Sequence, residues 1–112
     1  MIKKYSVFWT ATALEDLELI ITFMAQETPS RAENWLKKIQ AKAQSLSKNP
    51  KRGRLPPELI HIPQLPFKEI VISPWRLIYQ IKEQSIQILA FLDSRRNLED
   101  ILFDRLMRQT QT

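Results

Sequence analysis

The chain has no cysteine, one glycine (Gly53) and one histidine (His61) among its 112 residues. Without cysteine, neither a disulfide scaffold nor a thiolate zinc site can form, and nothing implies an oxidising compartment. A single glycine excludes the Gly-rich phosphate loops of the P-loop or dinucleotide type. Apolar runs are only a few residues long, far short of the roughly 20 that a membrane-spanning helix needs. Lys3 and Lys4 are not followed by an apolar h-region, and Glu15, Asp16 and Glu18 arrive too early for a signal peptide. A cytoplasmic protein with no membrane contact is therefore the expectation.

What is present is a globular composition. Hydrophobic residues make up 44% of the chain, which excludes a disordered polycation. The length fits one domain, residues 1–112. The net charge of +5 is unevenly distributed. Between Tyr5 and Ser30 the charges are Glu15, Asp16, Glu18 and Glu27, a total of −4. Between Lys37 and Pro57 they are Lys37, Lys38, Lys42, Lys48, Lys51, Arg52 and Arg54, a total of +7 with no acid among them. A concentrated basic stretch attracts polyanions or acidic partners, although a solvated lysine-rich helix face explains it equally well.

Periodicity organises the rest. Residues 2–9 read as a strand. Thr10 or Thr12 opens a helix, and Thr12 with Glu15 has the spacing of a capping box. Ala13, Leu17, Ile20, Ile21 and Met24 form its apolar stripe, and Glu15 and Asp16 are expected in its first turn. Thr28-Pro29-Ser30 ends this helix and starts a second, for which Ser30 and Glu33 repeat the capping-box spacing. Its stripe is Ala32, Trp35, Leu36, Ile39, Ala43 and Leu46, and Asn49-Pro50 closes it. So short a connection predicts an antiparallel helical hairpin whose stripes need a sheet to cover them.

Residues 50–66 hold five of the seven prolines and read as a stiff loop presenting Lys51, Arg52 and Arg54. Three strands follow: 67–72, 75–81 and 86–92. In the middle one Trp75, Leu77, Tyr79 and Ile81 share a face, and Arg76, Ile78 and Gln80 take the other. Residues 98–108 read as a short helix capped by Asn97, and residues 109–112 as a disordered end. The expected fold class is α+β: a helical hairpin packed on a small, mainly antiparallel sheet, in the order β-α-α-β-β-β with a short C-terminal helix.

Candidate chemistry is basic. His61 lies alone in the proline loop, with no nucleophile motif beside it. Arg76 stands among apolar neighbours on a strand, Lys68 begins the strand before, and Arg95 and Arg96 follow the last strand. A sheet of this order could bring all four to one surface, where they would hold phosphates or pair with a partner's acids. Arginine cannot act as a general base near neutral pH, so Lys68 or Tyr79 would have to move any proton, and Tyr79 faces away from Arg76 in an ideal strand. The structural alternative is that Arg76 caps the core or pairs with Glu69 across the hairpin.

At these residues a family likeness emerges. The run from Phe67 through Trp75-Arg76-Leu77-Ile78-Tyr79, and then Ile88-Leu89-Ala90-Phe91-Leu92-Asp93-Ser94-Arg95-Arg96-Asn97-Leu98, resembles the RelE/ParE toxin superfamily. So do Phe8, Thr10, Ala13, Asp16, Leu17 and Ile20 at the start, and Asn49-Pro50 with Gly53-Arg54 in the loop. The likeness covers about residues 5–108. It implies the toxin of a type II toxin–antitoxin pair, with an adjacently encoded antitoxin that is acidic where it covers the basic surface, and with no cofactor or metal.

The superfamily has two activities. One branch cuts ribosome-bound mRNA with a Lys/Arg cluster, for which Arg76, Lys68 and Arg95 match catalytic positions. The other inhibits DNA gyrase and is not itself an enzyme. Ile70 stands where the ribonuclease branch tends to have a second lysine, Asp93 where many members have histidine, and no tyrosine lies near the C-terminus. The stretch from Arg95-Arg96-Asn97-Leu98 to Asp104-Arg105-Leu106 looks more like the gyrase-directed branch. The resemblance thus favours growth arrest through gyrase, with the ribosome-dependent endoribonuclease as the alternative and a purely antitoxin-binding module as a third reading. Residues expected to meet the antitoxin or the target are Lys51, Arg52, Arg54, Arg76, Arg95, Arg96 and Arg105.

Overall fold

A computed structural model describes residues 4–110. The order is β1 (Ser6–Trp9), α1 (Ala11–Glu27), α2 (Pro29–Gln44), β2 (Phe67–Ile72), β3 (Trp75–Lys82), β4 (Ser85–Asp93) and α3 (Leu98–Thr110). The four strands form one sheet in the order β1-β4-β3-β2. β2, β3 and β4 make an antiparallel meander, while β1 joins β4 in parallel, Ser6 opposite Ser85. The α+β class and element order agree with the expectation from sequence.

The helix starts agree with it only in part. Thr10, not Thr12, caps α1, and its side chain accepts a hydrogen bond from the Ala13 N–H at 3.3 Å. Thr10 is held in place because its own N–H and hydroxyl both donate to the Ile88 carbonyl at the end of the β1–β4 ladder. Starting at Ala11, the helix carries Glu15 and Asp16 beyond its first turn. Ser30 is likewise inside α2 rather than capping it. Thr28 is the single residue between the two helices, and Pro29 opens α2, where a fixed φ and a missing N–H cost nothing. α2 tightens into a 3-10 turn, Ser45–Ser47, that buries Leu46. Asn97 caps α3 through its side-chain oxygen, which accepts from the N–H groups of Glu99 and Asp100. α3 runs on through Gln109 and Thr110, which the sequence reading had placed in a disordered end. The remainder of that end, residues 111–112, and the expected strand positions 2–3 lie outside the described residues.

Both faces of the sheet are covered. On one, Leu17 of α1 and Ile39 of α2 pack against Leu77, Tyr79, Ile86, Ile88 and Phe91. Trp35 of α2 meets Trp75 edge-on, with ring centroids 5.0 Å apart. On the other, Leu59 from the proline loop and Leu98 and Leu102 from α3 cover Phe67, Ile78, Leu89 and Leu92. The register of β3 on β4 shifts between Ile78 and Tyr79: Ile78 faces Ala90 and Tyr79 faces Ile88. Leu89 is the extra residue of this bulge, and so Leu89 and Ala90 both join the second core.

Gly53 has a structural reason to be glycine. Its N–H donates to the Tyr79 hydroxyl at 2.9 Å, and that hydroxyl donates to the Pro50 carbonyl at 2.7 Å. A Cβ at Gly53 would lie 2.6 Å from the Tyr79 oxygen and 2.8 Å from the Glu69 carbonyl oxygen. The proline loop is thereby pinned to the sheet, and the next residue, Arg54, forms an antiparallel bridge with Glu69.

Candidate functional site

The fold gathers the loop, β2 and β3 around one buried carboxylate. The Glu69 side chain is fully buried. It accepts from Arg54 Nε at 2.8 Å and from Arg76 Nε at 2.7 Å. Arg76, itself only 6% exposed, turns its two terminal nitrogens toward Glu58, donating to both carboxylate oxygens at 2.6 and 2.7 Å. Glu58 sits in a 3-10 turn, Pro57–Leu59, of the proline loop. The Arg76 guanidinium is thus held by two carboxylates, in the fork geometry that suits arginine. The hydrogen bonds from Arg76 hold the Glu58 carboxyl below its ordinary range, and the Glu58 carboxylate raises the Arg76 pKa further. Burial pushes the Tyr79 phenol up.

A second ion pair joins α1 to α3. Arg105 donates to both oxygens of Asp16, at 2.5 and 2.7 Å, and to the Leu89 carbonyl at 2.8 Å. Asp16 in turn accepts from the Phe91 N–H at 3.0 Å. Beyond the end of β1, these two side chains satisfy the edge of β4 around its bulge. A third pair is local: Arg95 donates to Asp93 from the exposed turn after β4, which lowers the Asp93 pKa and raises that of Arg95.

The basic residues singled out by sequence therefore do not share one surface. Lys68 lies on the same face of β2 as Ile70 and Ile72, toward the helical hairpin, whereas Arg76 shares the opposite face with Ile78. Arg95 and Arg96 are exposed beyond the end of β4, and Arg105 is committed to Asp16. Lys51, Arg52 and Arg54 remain together on the exposed side of the proline loop. There Arg52 donates to Ser45 at 2.7 Å, and the Arg54 side chain is 63% exposed. The pairing of Arg76 with Glu69 is the arrangement named as the structural alternative. The role of Glu58 was not foreseen, since nothing in its local spacing points to a strand residue 18 positions on. The sequence places Asp16 in a helix turn and a family motif, and no periodicity links it to Arg105.

No helix of the described residues is long and apolar enough to cross a membrane. The fold is similar to that of a chain in the chromosomal ParDE toxin–antitoxin system from P. aeruginosa, with a TM-score of 0.67, 20% identity, 81% of this chain covered and 97% of that one. It is also similar to a chain in the RelBE2 toxin–antitoxin complex from Mycobacterium tuberculosis, with a TM-score of 0.52, 24% identity and coverages of 80% and 98%. No curated protein sequence matches the chain. The architecture is thus one used by chains of solved toxin–antitoxin systems. Residues 7–98 match the family model of the ParE toxin of the type II toxin–antitoxin system parDE. The chain belongs to that family and is a ParE-type toxin of a type II toxin–antitoxin system.

Proposed function

We propose that this toxin arrests growth in the cytoplasm by inhibiting DNA gyrase as a binding protein, without chemistry of its own. The observation that carries this reading is the state of Arg76. A nuclease cluster needs an accessible cation to stabilise a phosphorane and a separate group to move a proton. Arg76 is buried and paired with both Glu58 and Glu69. Lys68 stands on the other face of the sheet, and the Tyr79 hydroxyl is engaged by Gly53 and Pro50. The departures at Ile70 and Asp93 point the same way.

The cognate antitoxin is the second partner. The +7 stretch ends in the exposed group Lys51, Arg52 and Arg54, which suits an acidic segment that orders on binding. In a gyrase assay the purified toxin is expected to block supercoiling and to accumulate cleaved DNA, with relief by the antitoxin. Cleavage of mRNA in the ribosomal A site, abolished by Arg76→Ala in a folded variant, would instead establish the ribonuclease reading. Absence of growth arrest on expression would refute both.

A further inference from the structure

α1 carries an apolar pair that the fold itself does not bury. Leu19 is 73% exposed and Phe23 72% exposed. They lie four residues apart, one helical turn, side by side on the exposed surface of α1. Solvent-facing helix positions are ordinarily polar. Leu19 stands where two clefts meet. One, of about 410 Å³, runs past Phe23 and Met24 to Trp75. The other, of about 330 Å³, separates α1 from α3 and reaches Ile101. The rim is acidic: Glu15 and Asp100 edge the second cleft, Glu27 the first, and Glu18 an adjoining hollow. Among the described residues lining the clefts, Arg31 and Arg96 are the opposing cations, and Arg105 is paired with Asp16. On a chain of net charge +5 this face is negative, opposite in sign to the Lys51–Arg54 loop.

We infer that this face is where the target protein docks, through a basic amphipathic helix. Two apolar side chains of that helix, one turn apart, seat against Leu19 and Phe23, while flanking lysines or arginines meet the acidic rim. This is helix-in-groove recognition with charges selecting the partner. Charge argues against the other occupants. A nucleic acid would be repelled, and so would an acidic antitoxin segment suited to the basic loop. The inference rests on the reading above that the target is a protein.

The test uses two labelled synthetic helices with one leucine stripe, flanked by lysine in one and by glutamate in the other. Fluorescence anisotropy against the whole toxin should show the lysine helix binding at least about tenfold tighter, and less tightly as salt rises. Leu19→Ser with Phe23→Ser should cost about tenfold or more while leaving the circular dichroism spectrum unchanged, because both side chains are exposed. Equal binding of the two helices, or unchanged binding by the variant, overturns the inference. The same variant in the supercoiling assay separates the two readings. Inhibition by the wild type with equal inhibition by the variant removes the docking face and leaves gyrase as target. No inhibition by the wild type removes the gyrase reading while the helix titration still judges the face. Loss of antitoxin binding in the variant would make the antitoxin the occupant and overturn the assignment.

Discussion

Arg76→Met asks how much of this fold depends on one buried guanidinium. Methionine keeps an unbranched apolar stem and removes all five N–H donors. Glu69, whose side chain is fully buried, would retain only Arg54, itself largely exposed. Glu58, partly exposed at 29%, can turn to water. The cost is therefore concentrated on Glu69, a buried carboxylate that has lost its buried partner. Removing one member of a buried pair typically costs about 3–5 kcal/mol, a large share of the roughly 5–15 kcal/mol that holds a domain together. With a urea slope of about 2 kcal/mol per molar, the midpoint should fall by roughly 2 M. The double variant Glu69→Leu with Arg76→Met removes both buried charges, and Glu58 and Arg54 can then be hydrated. It should recover most of the loss, because apolar replacement of a whole buried pair is often neutral or stabilising. Urea unfolding followed by far-ultraviolet circular dichroism measures the wild type, both single variants and the double variant. A loss below about 1 kcal/mol for Arg76→Met, or a double variant as unstable as the sum of its parts, would refute the reasoning.

Gly53→Ala should destabilise by about 1–3 kcal/mol, because the added methyl collides with the Tyr79 hydroxyl and with the immovable Glu69 carbonyl; an unchanged thermal midpoint would contradict this. Arg105→Met should cost about 2–3 kcal/mol through lost charge-assisted hydrogen bonds, and amide exchange should quicken in α3 and at Phe91 before it does in β2 and β3. The Glu58 pKa is lowered from an ordinary 4.5 by Arg76, so its stabilisation is present above that value and is lost as pH falls through the folded one. Glu58→Gln should accordingly flatten the acid limb of a plot of urea midpoint against pH. The Tyr79 pKa is raised above 10.0 by burial, so its contribution is full below that value and disappears as pH rises through the folded one. Phenolate absorbance should show a late step that Tyr79→Phe removes.

The strands and the helical hairpin were legible because period and proline placement decide them locally. The stripe from Ala13 to Met24 and the alternation from Trp75 to Ile81 each identify a buried face without reference to the rest of the chain. The helix starts were less legible. Thr12 and Thr10 are chemically equal as caps, and what selects Thr10 is the Ile88 carbonyl, distant in sequence. The site was harder still. Alternation separates Arg76 from Tyr79 correctly, yet extending that argument across two strands requires the β2–β3 register, which places Lys68 opposite Tyr79. Glu58 lies in a loop with no period to read, and the bulge at Leu89, which shapes the backbone met by Asp16 and Arg105, has no local signature in an uninterrupted apolar strand.

The parallel pairing of β1 with β4 sets the order in which the molecule can assemble during synthesis. β1 is made well before its partner, which begins at Ser85. The hairpin α1–α2 can form early from local contacts, whereas its sheet-facing stripes have nothing to cover them until β3 and β4 exist. Of the two inner strands β4 is made later than β3, and β1 has no other partner in the sheet. A chain stopped before residue 85 therefore has β1 unpaired and its helix pair covered only by the β2–β3 hairpin.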